Sequence, residues 1–181
     1  MNNLSVFDLD ETLFKTSAKV HVLKDGKIKR KLNNQEFNSY IPQEGETFDF
    51  LEFTSADLFL KTSIPIRPMI GRLREKIRQG NQIRILTARK DFDKKEIFLK
   101  ALKVHGINPN HIHVDRAGNI PGPSHKSKEI FFKKYFNIKE FKVIEFFDDH
   151  EENLKTFKGL SDLTQSKLKA FLVRDGLSIS Y

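Results

Sequence analysis

Apolar residues recur along the chain in two rhythms. Leu4-Ser5-Val6-Phe7, Ile83-Arg84-Ile85-Leu86 and Val143-Ile144-Glu145-Phe146-Phe147 are short apolar runs of the length of buried strands. His111-Ile112-His113-Val114 and Leu168 to Val173 predict two more strands. Between the runs the spacing becomes helical. Ile66, Ile70, Leu73 and Ile77 recur at intervals of four, three and four, which predicts a helix from Arg67 to Gln79 that Gly80-Asn81 ends. Asp91 to His105 reads as a second helix, Lys126 to Phe136 as a third after the breakers Pro121-Gly122-Pro123-Ser124, and Glu151 to Lys158 as a short fourth. Strands alternating with helices predict βαβ units, an α/β fold whose parallel sheet is covered by helices on both faces.

Residues 15 to 64 break this rhythm. Val20 to Lys29 reads as a hairpin turning at Asp25-Gly26, and the remainder is rich in Phe and acids. The expected organisation is a single domain over residues 1–181, with 15–64 as a small, partly β insertion over the carboxyl edge of the sheet.

Composition narrows the possibilities. The 181 residues carry 32 Lys and Arg against 24 Asp and Glu, a net charge of +8, and no Cys. Disulfide frameworks, thiolate zinc sites and cysteine nucleophiles are excluded. No segment approaches the ~20 apolar residues of a membrane span. Met1 to Ser5 lacks the basic and long apolar regions of a signal peptide, so a cytoplasmic protein is expected. A positive charge attracts phosphate-bearing partners but does not identify one. It is also segregated: residues 15–31 hold seven bases and one acid, and residues 36–57 six acids and no base.

Three predicted strands end in residues capable of chemistry: Asp8 and Asp10, Thr87, and Asp148 with Asp149. Ligands of such sheets bind at the carboxyl ends of the strands. Two carboxylates two residues apart can converge, and a hard cation such as Mg²⁺ offsets their repulsion; Asp8, Asp10, Asp148 and Asp149 together resemble a Mg²⁺ site. Taken alone, each acid pair also fits a loop cap. With phosphate as substrate, Asp8 is the nucleophile that forms an aspartyl-phosphate, and Asp10 the acid and base. Thr87 and an ammonium near a helix start, Lys126 or Lys128, stabilise the phosphoryl charge. Ile130 favours Lys126, four residues earlier on an apolar face. His111, His113 and His125 lack a further strong ligand and read as surface histidines. Phe131-Phe132 and Phe146-Phe147 read as core, and the lysines of residues 126–134 as a solvated helix face or a polyanion contact.

These segments resemble, in order, the motifs of the haloacid dehalogenase (HAD) superfamily. Val6-Phe7-Asp8-Leu9-Asp10-Glu11-Thr12-Leu13-Phe14 is similar to motif I, Ile83 to Arg89 to motif II, a lone lysine before a helix to motif III, and Ile144 to Asn153 to motif IV. Asn153 stands where an acid is more usual. The resemblance implies a three-layer Rossmann-like core, Mg²⁺ dependence and phosphatase activity, which Asp at position 10 favours over dehalogenase activity. It implies phosphate contacts from Thr87, Ala88, Arg89 and Lys126 or Lys128. The metal ligands would be Asp8, Asp148 or Asp149, and the main-chain carbonyl of Asp10. It also places a first cap at 15–64, too short for a full helical lid. Small, often phage-encoded members and the phosphatase half of polynucleotide kinases are the most similar, so the expected substrate is a nucleotide or nucleic-acid end; no protein partner is expected. The alternatives are a small phosphometabolite as substrate, or a non-catalytic phosphate- or nucleic-acid-binding module. A phospho-receiver domain fits less well, because there the acid pair precedes the phosphorylated Asp.

Overall fold

The computed structural model describes residues 3–138 and 140–181. Its centre is a six-stranded sheet. β1 (Leu4–Phe7) lies in the middle, between β7 (Gln82–Thr87) and β9 (Val143–Asp148). β8 (Ile112–Arg116) flanks β7, and β10 (Lys167–Arg174) flanks β9. These five strands are parallel. The sixth, β11 (Leu177–Ser180), pairs antiparallel with β10 and makes the sheet mixed rather than wholly parallel as expected. Its cause is legible in the chain: Asp175-Gly176 sits between the two strands with φ of 49° and 78°, the left-handed pair that a tight hairpin requires.

Alternation along β1 divides the core. Leu4 and Val6 join a cluster with Phe132 and Tyr135 of α5 (Ser124–Ile138) and Leu154 and Phe157 of α6 (Glu151–Lys158). Phe7 joins another, with Met69, Ile70 and Leu73 of α3 (Arg67–Arg78) and Phe98, Ala101 and Leu102 of α4 (Lys95–Val104). Phe7 stacks on Phe147 of β9 at 4.5 Å between ring centroids, and Phe147 on Phe171 of β10 at 4.6 Å. Each such pair adds about 0.5–1.5 kcal/mol beyond area burial and fixes the register Phe7↔Phe147. That register sets Asp8 beside Asp148, because the ladder continues one step further, from the Asp8 amide to the Phe147 carbonyl at 2.9 Å.

The irregular segment is built on a neck. β2 (Phe14–Lys15) pairs antiparallel with β6 (Ile64–Pro65). Beyond it, β3 (Val20–Lys24) lies between β4 (Lys27–Leu32) and β5 (Glu46–Asp49). The β3–β4 hairpin turns at Asp25 and Gly26, with φ of 52° and 72°. Two short helices complete it: α1 (Asn34–Ser39), closed by an Asn33/Glu36 capping box, and α2 (Ala56–Thr62), capped by Ser55. Val20, Val22, Leu32 and Phe53 form its own small core. The charge segregated along the sequence meets in part within the insertion: Lys29 meets Glu46 at 2.8 Å, Lys31 meets Glu52 at 3.4 Å, and His21 meets Glu52 at 2.7 Å.

Three expected boundaries move. The second helix begins at Lys95 rather than Asp91. The residues before it are held as a loop, with Asp93 accepting from the Ala56 amide and donating its own amide to Thr54, and Asp91 paired with Arg116. The third begins at Ser124 and runs to Ile138. His111 lies in a turn closed by Asn108, so the strand starts at Ile112 and the two histidines do not share a strand face. No described helix is long and apolar enough to cross a membrane.

Candidate functional site

Because β9, β1 and β7 are adjacent and parallel, Asp148, Asp8 and Thr87 stand together at the carboxyl edge. The chain after Asp8 turns back at once. The Leu13 and Phe14 amides donate to the Leu9 carbonyl at 3.0 Å each, and Glu11 takes a φ of 56°. That conformation costs a residue with a Cβ about 1–2 kcal/mol. Leu9 and Leu13, both fully buried, hold the turn in place.

Lys128 occupies the centre. Its ammonium donates to Asp8 Oδ1 at 2.6 Å and to Asp148 Oδ2 at 2.7 Å, with the side chain 1% exposed. Asp148 is saturated by further donors: the His150 amide at 2.8 Å, and Asn153 Nδ2, which reaches both carboxylate oxygens at 3.1 and 3.0 Å. Ser124, at the start of α5, in turn donates to Asn153. Burial raises Asp8 well above the usual carboxylate range, against the opposing Lys128 charge. Burial and the neighbouring Asp148 push Asp149 up to about 7. For Lys128, burial acts to lower the value, and the Asp148 and Asp8 carboxylates outweigh it and hold the ammonium above the lysine range.

Lys126, the lysine that the sequence favoured, is not the one that reaches the carboxylates. It lies on the solvent side of α5, 67% exposed, beside Glu129 at 3.5 Å. Ile130, which had pointed to Lys126, is 52% exposed. The inward stripe is Lys128, Phe132 and Tyr135, all buried, at the four- and three-residue steps that share a helix face. Phe146, Phe147 and Phe132 are core, as expected.

The other candidates divide. Asp8, Asp148 and Asp149 each offer an oxygen, and these atoms lie within 4.8 Å of one another. Such a hard-oxygen set can hold a divalent cation. The Asp10 carboxylate turns instead to Arg89, which grips it through Nε at 2.9 Å and Nη2 at 2.6 Å. Arg89 is therefore a buried partner of Asp10 and not a free phosphate contact. Thr87 is fully buried, and its Oγ1 accepts the Arg89 amide at 3.1 Å. Ala88 is exposed at the same turn.

Sequence reasoning missed Gly118. A Cβ there would lie 2.1 Å from the Ala88 carbonyl oxygen and 2.5 Å from the Arg89 carbonyl carbon. The loop after β8 is pressed directly on the loop that carries Arg89, and no periodicity signals such a contact. A cavity of about 560 Å³ takes in Asp149 of this cluster; Asn34 and Asn38 of α1, Lys155 and Arg174 also line it, as do the acids Glu11, Glu151, Glu152 and Asp175. No protein-family model matches the chain, and no curated protein sequence matches it.

Proposed function

We propose that this chain is a Mg²⁺-dependent phosphomonoesterase of the HAD type, with a three-layer Rossmann-like core and an aspartyl-phosphate intermediate. The observation that carries this reading is the buried Lys128 ammonium bridging Asp8 and Asp148, with Asp149 alongside, at the carboxyl ends of adjacent parallel strands. A structural ion pair needs one carboxylate for one ammonium. Three carboxylates around one lysine, two buried and the third half-buried, leave a negative excess, which suits a cation and a phosphoryl group bound together.

The donor set fits Mg²⁺: all protein ligands are oxygens, and Lys128 takes only one oxygen of Asp8. Asp8, Asp149 and the Asp10 carbonyl are the proposed ligands, with Asp148 spent on Lys128, His150 and Asn153. The bound cation would neutralise phosphate oxygens and reduce the repulsion that a carboxylate meets on approaching a phosphate dianion.

The remaining chemistry belongs to the chain. Lys128 holds the Asp8 carboxylate through Oδ1 and so fixes its position for attack on phosphorus. Its attack forms the Asp8–phosphorus bond as the bond to the leaving oxygen breaks, and Asp10 gives that oxygen a proton. Water then attacks the phosphorus and gives its proton to Asp10. The Asp8–phosphorus bond breaks, inorganic phosphate leaves, and both carboxyls return to their starting forms. The Thr87 hydroxyl and Lys128 stabilise the charge on the transferring group.

The leaving group is proposed to be a nucleoside or the end of a nucleic acid. The cavity is within the range of small-molecule sites, and it offers the Asn34, Gln35 and Asn38 amides and the Lys15, Lys155 and Arg174 cations alongside Asp149 and four further acids. One observation favours the second reading, a small phosphometabolite: Lys29 and Lys31, two of the insertion's bases, are paired with Glu46 and Glu52 within it. A panel of 3′- and 5′-phosphorylated oligonucleotides, mononucleotides and sugar phosphates separates the two. Faster turnover of oligonucleotide or nucleotide esters, falling with salt for the oligonucleotides, supports the first. Equal rates throughout support the second, and no turnover of any ester overturns the phosphatase reading.

A further inference from the structure

Arg89 is 3% exposed on the loop after β7. Besides gripping Asp10, its Nη2 donates to Thr16 Oγ1 at 2.8 Å and its Nη1 to the Phe53 main-chain carbonyl at 2.8 Å. The rings of Phe53, Phe59 and Phe92 lie 4.9, 5.1 and 5.3 Å from the guanidinium carbon. Thr16, Phe53 and Phe59 belong to the 15–64 segment, and Asp10 to the turn after β1. One rigid, planar cation therefore holds both. Only arginine can do so, because a lysine offers a single point of attachment and no flat face to stack. A buried charge is costly without its partners, so the insertion and the Asp10 carboxyl are not free to move separately.

We infer that Arg89 is a positioning residue: it orients the Asp10 carboxyl for proton transfer to the leaving oxygen and makes that orientation depend on the insertion being seated. The role of Asp10 in this inference rests on the phosphomonoesterase reading above. The coupling between insertion and carboxyl does not, and it is reciprocal. Loss of the Asp10 carboxylate loosens the insertion, just as displacement of the insertion disturbs Asp10.

A leaving-group comparison distinguishes this from a phosphate contact. p-Nitrophenolate departs with little need of a proton, whereas an alkoxide needs one. The experiment measures kcat/KM with Mg²⁺ for p-nitrophenyl phosphate and glycerol phosphate in the wild type, Arg89→Lys, Asp10→Asn and the double variant. Amide exchange over residues 50–59 is followed in the same four proteins. Arg89→Lys is expected to lose about 100-fold on the alkyl ester and only a few-fold on the aryl ester. The double variant should be no worse than Asp10→Asn, and exchange should quicken about tenfold or more in both single variants. Equal losses on the two esters with additive effects would overturn the positioning role, as would unchanged exchange in both variants. A wild type that hydrolyses neither ester removes the proposed function, and the exchange measurement still decides whether Arg89 couples the insertion to Asp10.

Discussion

At the scale of single residues, the difference between Lys126 and Lys128 is a rotation of about 200° around one helix. Replacing Lys128 by Ala strands two buried carboxylates and is expected to cost about 3–5 kcal/mol, measured by urea unfolding, together with any phosphatase activity. Lys126→Ala should change stability by no more than about 0.5 kcal/mol. The sequence contained the information to choose, but in the wrong currency. An apolar neighbour marks the buried face of a helix only when that neighbour is itself buried, and Ile130 is not. The lysine that bridges the carboxylates sits in line with Phe132 and Tyr135, and reading it as core required accepting a buried charge. Asp8, Asp148 and Asp149 were legible because they close apolar runs. Asn153 was visible only as a departure, and its two hydrogen bonds to Asp148 give that departure a function.

The same residues set a pH dependence. Asp149 is held up to about 7 in the fold, against 3.8 for an ordinary aspartate. An acid whose value rises on folding binds its proton more tightly in the folded state. Its stabilising contribution is whole below about pH 4 and is lost as pH rises to about 7. In metal-free protein the urea midpoint should therefore fall across that window, and Asp149→Asn should flatten the fall. Because a metal ligand must be deprotonated, added Mg²⁺ should stabilise more at pH 8 than at pH 5.

At the scale of elements, the apolar runs located strands and helices well, since burial on a period of two or of about 3.6 is a local property. Their ends were less legible because tertiary contacts set them. Asp93 would extend α4 were its amide and carboxylate not engaged by Thr54 and Ala56. β11 was missed although Asp175-Gly176 carries the same turn signal as Asp25-Gly26. Contacts between loops leave no periodic trace at all, and Gly118 is the sharpest case. Gly118→Ala forces the Ala88–Arg89 peptide to move, since a Cβ cannot remain 2.1 Å from a carbonyl oxygen. The expected cost is about 1–3 kcal/mol, seen as a lower melting temperature, with a loss of activity that exceeds the loss of folded protein.

At the scale of the whole molecule, a net charge of +8 gives no hint of a centre made of clustered acids. Two of the seven bases in the insertion's basic run, Lys29 and Lys31, pair with the acidic run that follows it, and the sheet's carboxyl edge concentrates negative charge where a cation and a phosphate can share it. The fold puts strand ends together, and Lys128 bridges Asp8 and Asp148 there. Catalysis through Asp8 is tested most directly by hydrolysis of p-nitrophenyl phosphate in the presence of Mg²⁺, comparing the wild type with Asp8→Asn. The expected result is turnover by the wild type that EDTA abolishes, and a loss of at least about 10³-fold in the variant. A wild type without turnover, or an Asp8→Asn variant that keeps wild-type activity, would contradict a phosphatase working through an aspartyl-phosphate.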